Sequence, residues 1–323
     1  MKIQLDLFKL CNEDDNKEGR IRALFNPELR KEIRYLVKEI KSKDVKLKEI
    51  AEELGTTYTT LWDYLVRTKS IPLDYIRKIV QIWSRTTGNS HEKKIAEIQK
   101  MIKRLSYGSG PQIRSTNAVK ELSRTLCKIL GAHAADGSMR KRYTKWGGKM
   151  VPHYEIRFRE EYEDNIKALT NWINKIFDIN VKPKDKKNHW YIYISNKILF
   201  RYFHNIFGFP NGRKCEIVEM PHLVRNSSKG CKKAFVTGVL MFDGSVERKT
   251  GYVSLFCKSK PLVSDVSSIL MGLKIEPDYI NLEPDKYGRF RFIIRKKEKR
   301  QKILKNILEP QTTKWLRLRK TLN

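Results

Sequence analysis

From Glu28 to Trp83 apolar residues recur at helical spacing. Leu29, Ile33, Leu36, Val37 and Ile40 fall on one stripe, which predicts an amphipathic helix beginning at Glu28. Lys46 to Gly55 predicts a short second helix closed by a glycine suited to a left-handed cap. Thr56 to Leu65 predicts a third, opened by a threonine cap. Pro72 opens a fourth, with Leu73, Ile76, Ile79, Val80 and Trp83 facing inward. His91 to Leu105 reads as one more basic helix, and Tyr107-Gly-Ser-Gly-Pro111 as a linker. Before Glu28 the chain shows no assignable period, and Asn12 to Gly19 reads as a polar, acidic loop.

Beyond the linker one pattern occurs twice. Ile129-Leu-Gly-Ala-His-Ala-Ala-Asp-Gly-Ser138 is echoed by Val236-Thr-Gly-Val-Leu-Met-Phe-Asp-Gly-Ser245. Each copy predicts an apolar helix that carries an internal glycine and ends in Asp-Gly, followed by a turn with basic residues. These turns contain Arg140 and Arg142 in the first copy and Arg248 in the second. Strands follow in both copies, over Tyr154–Arg159, His189–Ser195, Tyr252–Lys258 and Arg289–Arg295. In the last, Phe290, Phe292 and Ile294 alternate with Arg289, Arg291 and Arg295; Arg157 and Arg159 repeat the theme in the first copy. A repeat of roughly a hundred residues is too long for a solenoid unit and implies a duplicated subunit forming a pseudo-dimer, so a monomer is expected.

Charge narrows the partner. With 67 Lys and Arg against 36 Asp and Glu, the formal net charge is +31. Such an excess repels itself in a compact state and suits a polyanionic partner. A membrane is the poorer candidate, because no long apolar run or signal peptide is present. The five cysteines are scattered without a C-x-x-C pair and the six histidines do not cluster with them. That pattern argues against zinc and for a reducing, intracellular compartment, with a cytoplasmic location in a prokaryote expected.

The repeated motif resembles that of the LAGLIDADG homing endonucleases of single-chain, two-motif type. Gly131 and Gly238 match the motif glycine, and Asp136-Gly137 and Asp243-Gly244 match its closing pair. Ile217 to Pro221 resembles the bridge between halves, and Ser259 to Leu273 a helix within one half. The likeness spans Asn117 to Asn323. His133 departs from the pattern, and Ala134 and Met241 stand where the motif has its first Asp. Separately, Leu47 to Val80 resembles a helix-turn-helix of the Cro and repressor type, with Ala51 as the small residue at the helix crossing. It would place Thr57, Tyr58, Thr60 and Asp63 on or beside the recognition helix.

These resemblances imply an α+β fold: two αββαββα halves in pseudo-twofold arrangement, preceded by a small all-α domain. The expected boundaries are 1–107 for the helical domain (helix-turn-helix at about 46–66), 108–116 for the linker, 117–225 for the first half and 226–323 for the second. Small residues at Gly131, Ala135 and Gly238 would let the two helices approach closely. Gly137 and Gly244 would cap them, and Asp136 and Asp243 would converge. Two carboxylates at the negative ends of two helices repel one another, and Mg²⁺ or another hard divalent cation would relieve this.

The implied activity is hydrolysis of both strands of duplex DNA, with metal at Asp136 and Asp243. Lys197 and Lys296 are the candidate catalytic lysines, and the strand arginines would contact DNA. His133 reads as a packing residue. A transcription regulator on a non-cutting scaffold and a maturase acting on intron RNA are the alternatives. The termini lack the residues of a splicing domain, so a freestanding protein is expected.

Overall fold

A computed structural model of the chain describes residues 2–13, 15, 19–67, 70–108 and 113–322, with the side chain of Trp146 left aside. Two compact units emerge: Leu5–Lys120, and Glu121–Asn323 together with Met1–Gln4.

In the first unit, five helices follow the apolar stripes: α1 (Pro27–Lys41), α2 (Leu47–Leu54), α3 (Tyr58–Val66), α4 (Leu73–Thr87) and α5 (His91–Met101). Asn26 caps α1 with its side-chain oxygen, and Leu29, Ile33, Leu36, Val37 and Ile40 are its buried face. Gly55 takes the left-handed conformation (φ 70°) that closes α2, and Thr57 opens α3 by accepting the Thr60 N–H.

This unit is not all-helical, contrary to the sequence expectation. Strands β1 (Arg22–Leu24), β2 (Ser70–Pro72), β3 (Arg104–Tyr107) and β4 (Arg114–Asn117) form an antiparallel sheet in the order β2-β1-β3-β4. α5 therefore stops at Met101, and residues 104–107, expected at the end of the helical domain, pair with 114–117 across the stretch expected as linker (108–116). Residues 109–112 of that stretch lie outside the described residues. Compactness places the division after Lys120. These strands are three or four residues long, too short for a period of two to stand out.

The second unit holds two halves of one topology. The first half runs α6 (Arg124–Asp136), β5 (Gly137–Trp146), β6 (Lys149–Glu160), α7 (Glu163–Phe177), β7 (Lys184–Lys186), β8 (His189–Ser195) and α8 (Lys197–Arg201). A π-helical turn, Tyr202–Ile206, and α9 (His222–Arg225) lead to the second half. There α10 (Lys229–Phe242), β9 (Gly244–Val246), β10 (Val253–Cys257), α11 (Lys260–Gly272), β11 (Tyr279–Asn281), β12 (Phe290–Ile294), α12 (Lys297–Asn306) and α13 (Thr313–Lys320) repeat the order. The sheets, β5-β6-β8-β7 and β11-β12-β10-β9, have equivalent strand orders, which is the duplicated αββαββα arrangement.

α6 and α10 pack against one another at the centre of this unit. A Cβ on Gly131 would lie 2.1 Å from the Phe235 carbonyl oxygen, and one on Gly238 the same distance from that of Lys128. Only glycine permits this approach. Gly137 and Gly244 are also required by space, since their Cβ atoms would meet His133 Nδ1 at 2.3 Å and Leu240 O at 2.4 Å. Gly137 is the C-cap of α6, as expected, in an extended conformation (φ −71°) that begins β5 directly; in the second copy Asp243 is the C-cap and Gly244 opens β9. The ends of the two helices thus pass straight into the first strand of each half. No helix among the described residues is long and apolar enough to cross a membrane.

Gly238→Ala is expected to destabilise this unit by about 3 kcal/mol or more, because the new methyl meets backbone on the facing helix. Gly272→Ala, at an exposed helix position with open space around the added Cβ, should raise stability by up to about 1 kcal/mol. Thermal unfolding of the two variants checks both; equal melting temperatures would contradict the close packing.

Candidate active site

Asp136 is the last residue of α6 and Asp243 the C-cap of α10, so the glycine contact brings both carboxylates to one place. They line a cleft of 620 Å³ together with Arg159, Glu160, Tyr162, His189, Lys314 and Arg317. Neither carboxylate has a hydrogen-bond or ion-pair partner among the described residues.

Two lysines missed by sequence reasoning hold the helix ends. Lys214 donates from Nζ to the carbonyls of Ala134 (2.5 Å) and Ala135 (2.6 Å), capping α6. Lys314 donates to Met241 O (2.6 Å), Phe242 O (2.8 Å) and Leu240 O (3.4 Å), capping α10. Asn165 of the first half adds a bond to Met241 O (2.7 Å) and another to Glu160 Oε2 (3.1 Å). Glu160 Oε1 accepts the N–H groups of Glu161 and Tyr162. Each half thus supplies one ammonium to the negative end of one central helix.

Electrostatics follow from this crowding. Burial raises the Asp243 carboxyl to about 7, and the charge of Asp136 adds to the rise while Lys214 and Lys314 oppose it. Asp136 keeps an accessible edge, but the cleft walls remove enough water to raise it too, against Lys314, Lys214 and Arg159. Burial also lifts Glu160 to about 7 despite Lys314 and its hydrogen bonds. Lys214 and Lys314 are lowered by burial, an effect opposed by the acids around them.

The donor set bears on metal. Asp136 and Asp243 offer unpartnered carboxylate oxygens, while the nearest ammonium groups are committed to backbone carbonyls. An oxygen-only pair suits a hard divalent cation that keeps water or phosphate oxygens as its remaining ligands. Glu160 is occupied by backbone N–H groups, and no cluster of three or more His, Cys, Asp or Glu able to hold a metal occurs among the described residues.

The expected lysines are elsewhere. Lys197 is buried at the start of α8, beneath the Tyr154 ring at 5.5 Å, and Lys296 is exposed as the N-cap of α12. Neither lines the cleft. Their only signal was position near a strand end. Lys214 and Lys314 gave no such signal, because each meets its helix only through tertiary packing. His133 is fully buried against Phe158, Phe203 and Phe209, with ring centroids 5.6, 4.7 and 4.6 Å away. Burial holds it neutral, and neither ring nitrogen has a hydrogen bond among the described residues.

The arginines divide between the two sheets. Strand register puts Ser138, Arg140 and Arg142 of β5, Glu155, Arg157 and Arg159 of β6, Tyr191 and Tyr193 of β8, and Lys184 and Lys186 of β7 on one face. A second cleft of 520 Å³, lined by Asp136, Arg157, Arg159, Lys184 and Lys186 among others, joins this face to Asp136. In the other half, Arg291 stacks on Tyr279 and Phe256, while Arg289 donates from Nε and Nη2 to Asp285. Arg295 is exposed at the end of β12, and Arg248 in the turn after β9. Thr57, Tyr58 and Asp63 are exposed on the first unit, with Thr60 half-buried.

Lys314→Met is expected to destabilise the protein by about 3–5 kcal/mol, because it leaves Glu160 and the end of α10 without their cation. Adding Glu160→Gln should recover part of that loss in a double-mutant cycle; strict additivity would contradict the coupling. The raised Glu160 pKa also gives a pH signature. Its protonated form favours the folded state below about 4.5, and this contribution is lost as pH rises to about 7. Across that window, Glu160→Gln should therefore gain stability relative to wild type in denaturant titrations.

The family comparison agrees with this architecture. The WhiA LAGLIDADG-like domain family matches residues 125–202 and 232–318. No curated protein matches the sequence. Among solved structures, I-DmoI in complex with DNA and Mn is 20% identical, with 58% of this chain and 97% of that chain covered at a TM-score of 0.44. Full-length DUF199/WhiA from Thermatoga maritima is 12% identical, with 62% of this chain and 59% of that chain covered at a TM-score of 0.41. The family match takes in α6 with Asp136 and α10 with Asp243, and the chain belongs to the WhiA LAGLIDADG-like family, with the LAGLIDADG fold in its second unit.

Proposed function

We propose that this protein is a DNA endonuclease of LAGLIDADG type that hydrolyses phosphodiesters with a divalent cation held by Asp136 and Asp243. The observation that carries this reading is the pair of unpartnered carboxylates at adjacent helix ends, opening onto a basic sheet face. Apart from Glu155, which is paired with arginines, every charged side chain on that face of the first-half sheet is cationic. A polyanion would be drawn there and led to the aspartates. The proposed contacts are Arg140, Arg142, Arg157, Arg159, Lys184 and Lys186 in the first half, and Arg248, Arg289, Arg291 and Arg295 in the second.

When bound, a divalent cation lowers the pKa of a coordinated water and offsets charge on the phosphate oxygens. The protein's own part is positional. Lys214 and Lys314 keep the helix ends in place, so the carboxylates meet a scissile phosphate from a fixed base. Arg159 and Arg317 line the same cleft and would neutralise its oxygens. Mg²⁺ is the proposed cation, and the exposed Thr57, Tyr58 and Asp63 with the half-buried Thr60 of the two-helix motif would form a second contact with duplex DNA.

A second reading, a DNA-binding regulator that does not cut, has one observation in its favour. Lys214 and Lys314 already supply two cations beside the aspartates, so the pair has partial compensation without metal.

Cleavage of duplex DNA in Mg²⁺ distinguishes the two. Asp136→Asn and Asp243→Asn should each lower cutting by at least a hundredfold, while binding in EDTA stays within threefold of wild type, magnitudes on the order of a lost metal ligand. Tight binding by wild type without cutting in Mg²⁺ or Mn²⁺, unchanged in both variants, would favour the regulator.

A further inference from the structure

On the basic face of the first-half sheet one acid stands among the cations. Glu155 is buried, its side chain 2% exposed, at the middle of β6. Its carboxylate accepts Arg157 Nη2 at Oε2 (2.7 Å) and the Tyr193 hydroxyl at Oε1 (2.9 Å), and pairs through Oε1 with Arg142 Nη2. Arg157 also lies over the Tyr193 ring, 5.4 Å from its centroid. The side chains of Arg142 and Arg157 remain 50% and 54% exposed.

A surface built only to hold phosphates would gain nothing from this carboxylate. It repels the DNA backbone and cancels one of two positive charges. What it does provide is geometry. Each guanidinium gives one nitrogen's N–H to Glu155 and keeps further donors exposed. The rotamer entropy of both arginines is then lost on folding rather than on binding. A fixed, partly neutralised fork suits the paired acceptors of a guanine edge better than a mobile phosphate.

We infer that Glu155 is a specificity-determining positioning residue, which with Tyr193 orients Arg142 and Arg157 to read guanines in one half of the DNA target. The inference rests on the DNA-binding part of the proposed function and does not depend on cutting. Asp285, which accepts both Nε and Nη2 of Arg289, is a similar pairing in the second half.

The test is selection of binding sites from a randomised duplex DNA library in EDTA, with the full-length wild type, Glu155→Gln and Tyr193→Phe. Wild type is expected to recover a site with guanines at neighbouring positions in one half. Glu155→Gln should lower the preference for those guanines about tenfold, on the order of one bidentate contact. The opposite half-site should keep its sequence, and affinity for random duplex should hold or rise. Tyr193→Phe, which removes a single hydrogen bond without altering charge, should show a smaller loss at the same positions, and decides the matter if Glu155→Gln does not fold. An unchanged consensus, or a loss spread evenly over both half-sites, would overturn the inference while leaving DNA binding intact. Failure of wild type to recover any preferred sequence would instead remove the DNA-recognition reading, and this inference with it.

Discussion

Backbone contact between α6 and α10 is the constraint on which the second unit is organised. Gly131 and Gly238 let the helices approach until each would-be side chain falls on the other's carbonyls. Contact that close sums many small dispersion gains over two buried helices, and it removes any freedom in where the helices end. Two negative dipole ends and two aspartates are therefore forced together. The helices cannot part to relieve the repulsion, because parting would open the core between them.

The protein meets that electrostatic problem with Lys214 and Lys314 at the backbone carbonyls. It leaves the Asp136 and Asp243 carboxylates without hydrogen-bond partners among the described residues. These are separate tasks: the ammonium groups satisfy main-chain acceptors that water cannot easily reach, whereas the carboxylates face the cleft. Burial of the cations is tolerable because each lies among acids that partly compensate it. The C-terminal α13 has a direct part in the site, since Lys314 and Arg317 both project from it. Arg317 bonds Val246 O and the Tyr162 hydroxyl, tying the strand after one aspartate to the loop beside Glu160.

The duplication is equivalent in topology but not in surface. The first half has a long β5–β6 hairpin closed by Gly147 and Gly148, both at positive φ, whereas β9 is only three residues long. The first sheet presents a dense array of arginine and lysine; the second presents aromatic rings with arginines stacked upon them. Divergence is possible there because exposed sheet positions bear little on the core. The glycines between the helices have no such latitude, because any added side chain would meet backbone.

Much of the fold was legible in the chain itself. The stripes from Leu29 to Trp83, the doubled Asp-Gly helices and the alternation of Phe290, Phe292 and Ile294 with arginines are local patterns, set by which side of a helix or strand must be dry. They determined most helices, the principal strands, the duplication and the pairing of Asp136 with Asp243. The small sheet of the first unit escaped because its strands are too short to show a period, and both partners of β1 lie tens of residues away from it. Lys214 and Lys314 escaped because nothing near either residue distinguishes it from the other basic side chains; each acquires its role only where the folded chain brings it to a helix end. Glu155 likewise reads in sequence as one acid between strand residues. Only register and tertiary contact place it among Arg142, Arg157 and Tyr193. Sequence by itself determined the elements and the repeated carboxylates, since these depend on local periodicity. The tertiary structure decided which cations serve them, because long-range electrostatic partners are chosen by packing and leave no periodic trace.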